Sequence, residues 1–113
     1  MDKLTKHQQA LTAILSRIAA IPYAKKDGLI KELVTDFVHH HYQVLATGWQ
    51  GSEFVHSILL HLDIKADGKI WIQQNWTEFL IADELIDRGI DKSDIVLGFI
   101  PPNERKYTGF AEC

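Results

Sequence analysis

The sequence predicts an α+β fold: an N-terminal helix, a four-stranded antiparallel meander sheet, then a C-terminal helix followed by a short helical turn and an extended tail. Three observations carry this reading. Apolar residues recur at helical spacing over residues 3–21, β-rich segments separated by turn signals fill residues 29–75, and a second helical stripe appears at Phe79, Ala82, Leu85 and Ile86. In the first helix Leu4, Leu11 and Ile18 lie seven apart, His7, Ile14 and Ile21 fill the intervening slots, and Pro22 stops the run. The seam covers fewer than three heptads, so packing on a sheet or a twin helix is favoured over an isolated coiled coil. Lys25, Lys26, Asp27 and Gly28 read as a polar loop.

The four strands are expected at 29–35, 42–49, 54–65 and 69–74. A turn around 36–40 separates the first two, and Gly48-Trp49-Gln50-Gly51 suits a tight reversal after the second. Along the third strand Phe54, Ile58, Leu60, Leu62 and Ile64 alternate onto one face with His56 among them, while Ser57, His61, Asp63 and Lys65 share the other. Asp67-Gly68 is a strong hairpin signal. Asn75 with Glu78 has capping-box spacing, and Gly89 ends the helix that follows. Asp91 and Asp94 repeat that spacing ahead of Ile95, Val96 and Leu97, which predicts a short helical turn ending at Gly98; Pro101-Pro102 then forces an extended path.

At 113 residues, 46% hydrophobic and 24% charged, the chain fits one globular domain, 1–113, that needs no metal or disulfide to fold. The only cysteine is Cys113, and no apolar run approaches the roughly 20 residues of a membrane span, so a cytoplasmic, non-membrane protein is expected. The net charge of −3 argues against direct binding of nucleic acid, which favours a basic excess. That total is divided: residues 1–28 carry five basic and two acidic groups, and residues 76–94 carry two basic and six acidic ones. Such a division suits pairing with a protein partner or within an oligomer.

No spacing demands catalysis. His39, His40 and His41 attract a metal reading, but adjacent residues cannot converge without a special turn, and His61 with Asp63 supplies only two ligands on one strand face. The expectation is therefore no metal, no cofactor and no catalytic residue. There is no Gly-x-Ser-x-Gly elbow and no phosphate-cradling glycine loop, and Asp83, Glu84 and Asp87 fall on the outer side of the second helix. Aromatic residues remain as candidate partner contacts: Trp49, Trp71, Trp76, Tyr107 and Phe110. An enzymatic or ligand-binding domain using the His61/Asp63 face is the rival reading, and DNA binding by Lys3, Lys6, Lys25 and Lys26 a third.

Several ordered blocks identify a resemblance. Tyr42-Gln43-Val44-Leu45 through Gly48-Trp49, Leu60-His61-Leu62-Asp63-Ile64-Lys65, Asp67 through Gln74, and Ile81-Ala82-Asp83-Glu84-Leu85 are followed by Asp94 through Phe99, Pro101-Pro102 and Tyr107-Thr108-Gly109-Phe110-Ala111. Together these blocks resemble the XisI family, named for an fdxN element excision controlling factor of cyanobacteria. The resemblance runs from about Leu29 to the end, with the first helix similar in length and character. It implies a small α+β accessory protein, with no established catalytic residues, that acts with a XisH-like, nuclease-like partner to control excision of a DNA element by a separate recombinase. A paired antitoxin-like role is the alternative it implies. Two positions depart from the family pattern: Trp76 stands where a small residue is common, and Ile100 replaces the usual His before the proline pair. Homo-oligomer formation is expected from the seamed first helix and the aromatic sheet face.

Overall fold

A computed structural model describes residues 2–22 and 28–113; the loop expected at Lys25, Lys26 and Asp27 lies outside them. Helix α1 (Lys3–Ala20) starts at Asp2, whose carboxylate accepts from the Thr5 amide at 2.7 Å. Its face of Ala10, Leu11, Ile14, Leu15 and Ile18 is buried against a single five-stranded sheet, ordered β1 (Leu29–Asp36), β2 (His41–Gln50), β3 (Glu53–Ile64), β4 (Ile70–Asn75) and β5 (Ile95–Leu97). The helical seam that suggested oligomerisation is therefore occupied within the chain. Leu4 and Ile21, at its two ends, are exposed.

The first four strands form the predicted antiparallel meander, and the fifth is an addition. Residues 95–97, expected to belong to a helical turn, pair in parallel with Ile70, Trp71 and Ile72, and only Lys92–Asp94 before them makes a 3-10 turn. A parallel neighbour requires a crossover, which helix α2 (Ile81–Asp87) supplies between β4 and β5. That helix begins later than the capping-box spacing suggested. Asn75 instead organises the linker before it: its side-chain oxygen accepts from the Thr77 amide at 2.9 Å and its amide donates to the Phe79 carbonyl at 2.8 Å. Ile81 and Leu85 bring α2 into the core beside α1. The tail is not simply extended either, because Pro102–Tyr107 winds as a 3-10 helix after Pro101 before Ala111 bridges to Val96.

Two corrections concern the second and third strands. The reversal falls at Gly51-Ser52, and Gly48 and Trp49 lie inside β2. Gly48 adopts a φ of 140°, and a Cβ there would stand 1.9 Å from the Gly28 carbonyl oxygen, so a close backbone crossing requires glycine. The second correction is a bulge. Val44 pairs with Leu60 but Leu45 pairs with Ile58, leaving Leu59 unmatched. A one-residue offset exchanges the faces of a strand. Leu60, Leu62 and Ile64 therefore enter the core, whereas Phe54 and Ile58, predicted to share their face, are exposed on the opposite one.

The core face of the sheet carries Tyr42, Val44, Leu60, Leu62, Ile70 and Ile72 beneath the helices. With both helices on that side, only the tail, among the described residues, covers the other, and it does so at the β4–β5 end. Arg105 is buried over the Trp71 ring at 5.0 Å and donates to the carbonyls of Ile100 (2.9 Å), Gly98 (3.3 Å) and Glu112 (3.4 Å).

Candidate functional site

The open sheet face divides into an apolar end and a polar centre. At the apolar end, Trp49 and Phe54 are cross-strand partners with ring centroids 5.1 Å apart, and both are more than half exposed, at 59% and 54%. Ile30, Val34 and Ile58 extend this exposed surface across β1 and β3. Soluble single chains place such side chains singly at the surface; a contiguous group on an uncovered sheet is characteristic of an interaction site.

The polar centre is built by register. Because of the Leu59 bulge, His41 stands directly opposite Asp63; without it, Leu62 would take that place on the open face and Asp63 would turn toward the core. His41 Nδ1 donates to Asp63 Oδ1 at 2.6 Å, and His61 Nε2 donates to the same oxygen at 2.8 Å. Asp63 Oδ2 accepts from Gln73 Nε2 at 3.2 Å and has Lys65 Nζ at 3.9 Å. Gln73 is itself the extra residue of a second irregularity, between β3 and β4. Gln43 donates to the remaining nitrogen of His61 at 3.2 Å. Burial pushes the Asp63 carboxyl up, but the hydrogen bonds from His41, His61 and Gln73 outweigh it and hold the group below its ordinary value of 3.8.

The three consecutive histidines go three ways. Asp36 accepts from the amides of Val38 and His39, both at 2.9 Å, and from His39 Nδ1 at 2.8 Å. His40 takes a φ of 59° and sends its ring toward the Tyr42 hydroxyl, 3.2 Å away. Only His41 joins His61 and Asp63, so three donor side chains share the face rather than the two that single-strand spacing revealed. An alternation count along one strand could not find His41; a pairing register could.

Of the five aromatic residues predicted to contact a partner, Trp49, Trp76 (72% exposed) and Tyr107 (79%) are exposed at the surface. Trp71 lies between Lys65 (5.5 Å) and Arg105 (5.0 Å), and Phe110 packs against the core. Trp76 occupies the linker before α2, where its amide donates to Leu59 at 2.8 Å. Ile100 supplies a carbonyl to Arg105.

The divided charge pairs within the chain. Lys3 meets Asp94 at 2.7 Å, Lys6 donates to the Gly89 carbonyl at 2.7 Å, and Arg17 is bonded to Glu84. His7, buried beside them, is 2.7 Å from the Gly68 carbonyl and 3.8 Å from Asp94. The basic helix and the acidic stretch thus complement each other, and two of the four lysines considered for DNA binding are already engaged.

Comparison with known proteins decides the relationship: the family model described as "XisI protein" matches residues 1–112. The chain belongs to the XisI family. Among solved structures, a XisI-like protein from Anabaena variabilis ATCC 29413 is 37% identical with a TM-score of 0.87, over 96% of this chain and 97% of that one. The fdxN element excision controlling factor XisI from the same organism is 35% identical with a TM-score of 0.85, over 99% and 100% of the two chains. No curated protein matches. The overall fold is therefore shared with both solved structures, and among the described residues no helix is long and apolar enough to cross a membrane.

Proposed function

We propose that this XisI family member is a non-enzymatic cytoplasmic accessory factor that controls site-specific excision of an fdxN-type DNA element by binding a XisH-like protein through the open face of its sheet. The observation that carries the reading is the uncovered apolar end of that face, where Trp49 and Phe54 meet beside Ile30 and Ile58. Large aromatic side chains that are already ordered by strand pairing make effective anchors, because little side-chain freedom remains to be lost on association. The membership in the XisI family, and a relative of nearly equal length named as an excision controlling factor, support the process; Lys3 and Lys6, engaged with Asp94 and Gly89, support a role that does not run through phosphate binding.

Co-expression with a XisH-like protein, followed by a sizing column at micromolar concentration, tests the proposal. Co-elution is expected, and complete separation of the two proteins contradicts it. Self-association through the same face is the second reading, favoured by the continuity of the apolar surface onto β1, which is the free edge of the sheet. Light scattering of the isolated chain distinguishes a dimer from a monomer.

A further inference from the structure

From the arrangement of His41, His61 and Asp63 we infer a binding site for a divalent transition-metal ion of the zinc class, independent of the partner reading above. The three donor atoms, His41 Nδ1, His61 Nε2 and an Asp63 carboxylate oxygen, lie within 4.8 Å of one another. Zinc takes imidazole nitrogen at about 2.0–2.1 Å and carboxylate oxygen at about 2.0–2.2 Å, which places tetrahedral ligands roughly 3.3–3.5 Å apart. The nitrogens are now 2.6 and 2.8 Å from Asp63 Oδ1. An ion entering between them opens those contacts by under about 1 Å and draws the imidazoles together, a movement within reach of side-chain rotation alone. Two neutral imidazoles and one carboxylate form a donor set suited to zinc, cobalt or nickel rather than to magnesium or calcium, which prefer all-oxygen shells.

The surroundings resemble those of a built site. Asp63 is only 6% exposed, and its second oxygen is fixed by Gln73. His61 has its far nitrogen on the Gln43 side chain, whose amide can turn to accept the proton that shifts to Nδ1 when Nε2 binds metal. Lys65 faces Oδ2, so it confines the ion to the Oδ1 side where the imidazoles converge. Two histidines directed at one carboxylate oxygen, while the other oxygen takes Gln73 and Lys65, form a three-sided cup. Its fourth side opens to solvent past the half-exposed His41 ring, leaving a position for water or a donor from outside. On binding, the proton of each coordinating nitrogen passes to the other nitrogen of the same ring, so both imidazoles stay neutral and the existing hydrogen bonds are replaced by coordination.

The test is a titration of the metal-stripped full chain with Co²⁺, followed by its visible ligand-field bands, and with Zn²⁺ by calorimetry. One ion per chain is expected, with the intense bands of low-coordinate cobalt. H41A and H61A should each weaken binding at least about tenfold, and Q73A, acting through Asp63, by about 10–100-fold. H39A, which removes the exposed His39–Asp36 pair, should leave binding unchanged. The His41 side chain is half exposed, so H41A does not depend on a core substitution folding; circular dichroism checks H61A and Q73A. No saturable binding up to about 1 mM metal, or binding unaffected by H41A and H61A, would overturn the site.

Discussion

Replacing Arg105 with Ala should release the tail from the sheet. Arg105 is 9% exposed, and its guanidinium donates to Ile100 at 2.9 Å and to Gly98 and Glu112 at 3.3 and 3.4 Å and covers the Trp71 ring at 5.0 Å. A hydrogen bond from a charged donor contributes about 1.5–3 kcal/mol net, and the two longer contacts contribute less than the short one. The cation–π contact adds about 0.5–2 kcal/mol. Against this, the freed carbonyls regain water as the tail lifts, which recovers part of the loss. The expected net destabilisation is about 2–3 kcal/mol, or roughly 10 °C in melting temperature for a domain of this size. Arg105→Lys keeps the charge but not the fork, and should recover less than half. Urea unfolding gives the magnitude, and Trp71 should become more accessible to quencher. Stability within about 0.5 kcal/mol of the parent chain would refute the claim that Arg105 pins the tail.

Three further perturbations probe separate parts of the fold. Leu62→Ala, at a fully buried β3 position beneath the helices, should cost about 2–5 kcal/mol in the same unfolding assay. Gly48→Ala should cost about 3 kcal/mol or more, because its Cβ meets the Gly28 backbone at 1.9 Å, whereas Gly51→Ala, with open space around it and a φ of 62°, should cost about 1 kcal/mol. The Asp36 carboxyl, held down first by the His39 amide and then by the His39 side chain, should titrate at about 2 rather than 3.8 by carboxyl NMR. Its contribution to the turn is therefore complete above the unfolded value near 3.8 and disappears as pH falls through about 2; an Asp36 titration at the ordinary value would contradict the hydrogen bonding described.

Much of the architecture was legible because it depends on local signals. The 3.6-residue period and Pro22 define α1, and Asp67-Gly68 defines the β3–β4 hairpin, where Gly68 takes a φ of 86°. What local patterning did not show depends on pairing between distant segments. Ile95, Val96 and Leu97 form a short apolar run compatible with helix or strand, and only docking against Ile70–Ile72 makes it β5. The Leu59 bulge was hidden because Phe54 and Ile58 are apolar on a face that is open, so alternation continued across the offset without a visible break. The same bulge decides the candidate site. It aligns His41 with Asp63, and the sequence alone offered only His61 and Asp63, two residues apart on one strand.

The charge pattern teaches a related lesson. A basic N-terminal segment and an acidic stretch over residues 76–94 suggested an external partner, but Lys3–Asp94 and Arg17–Glu84 join them within the chain. Electrostatic complementarity between two segments of one sequence predicts that they meet; it does not by itself say that they meet across two molecules. The apolar surface is a different case, since Trp49 and Phe54 remain exposed although they contact each other.

The most direct test of the partner surface is co-elution of the Trp49→Ser/Phe54→Ser double variant with the XisH-like protein at micromolar concentration. Both side chains are exposed, so the variant should retain its circular dichroism and its melting temperature. Loss of co-elution by the folded variant, with the unaltered chain still bound, is the predicted result. Undiminished co-elution would show that the partner binds elsewhere and would contradict the assignment of the open sheet face.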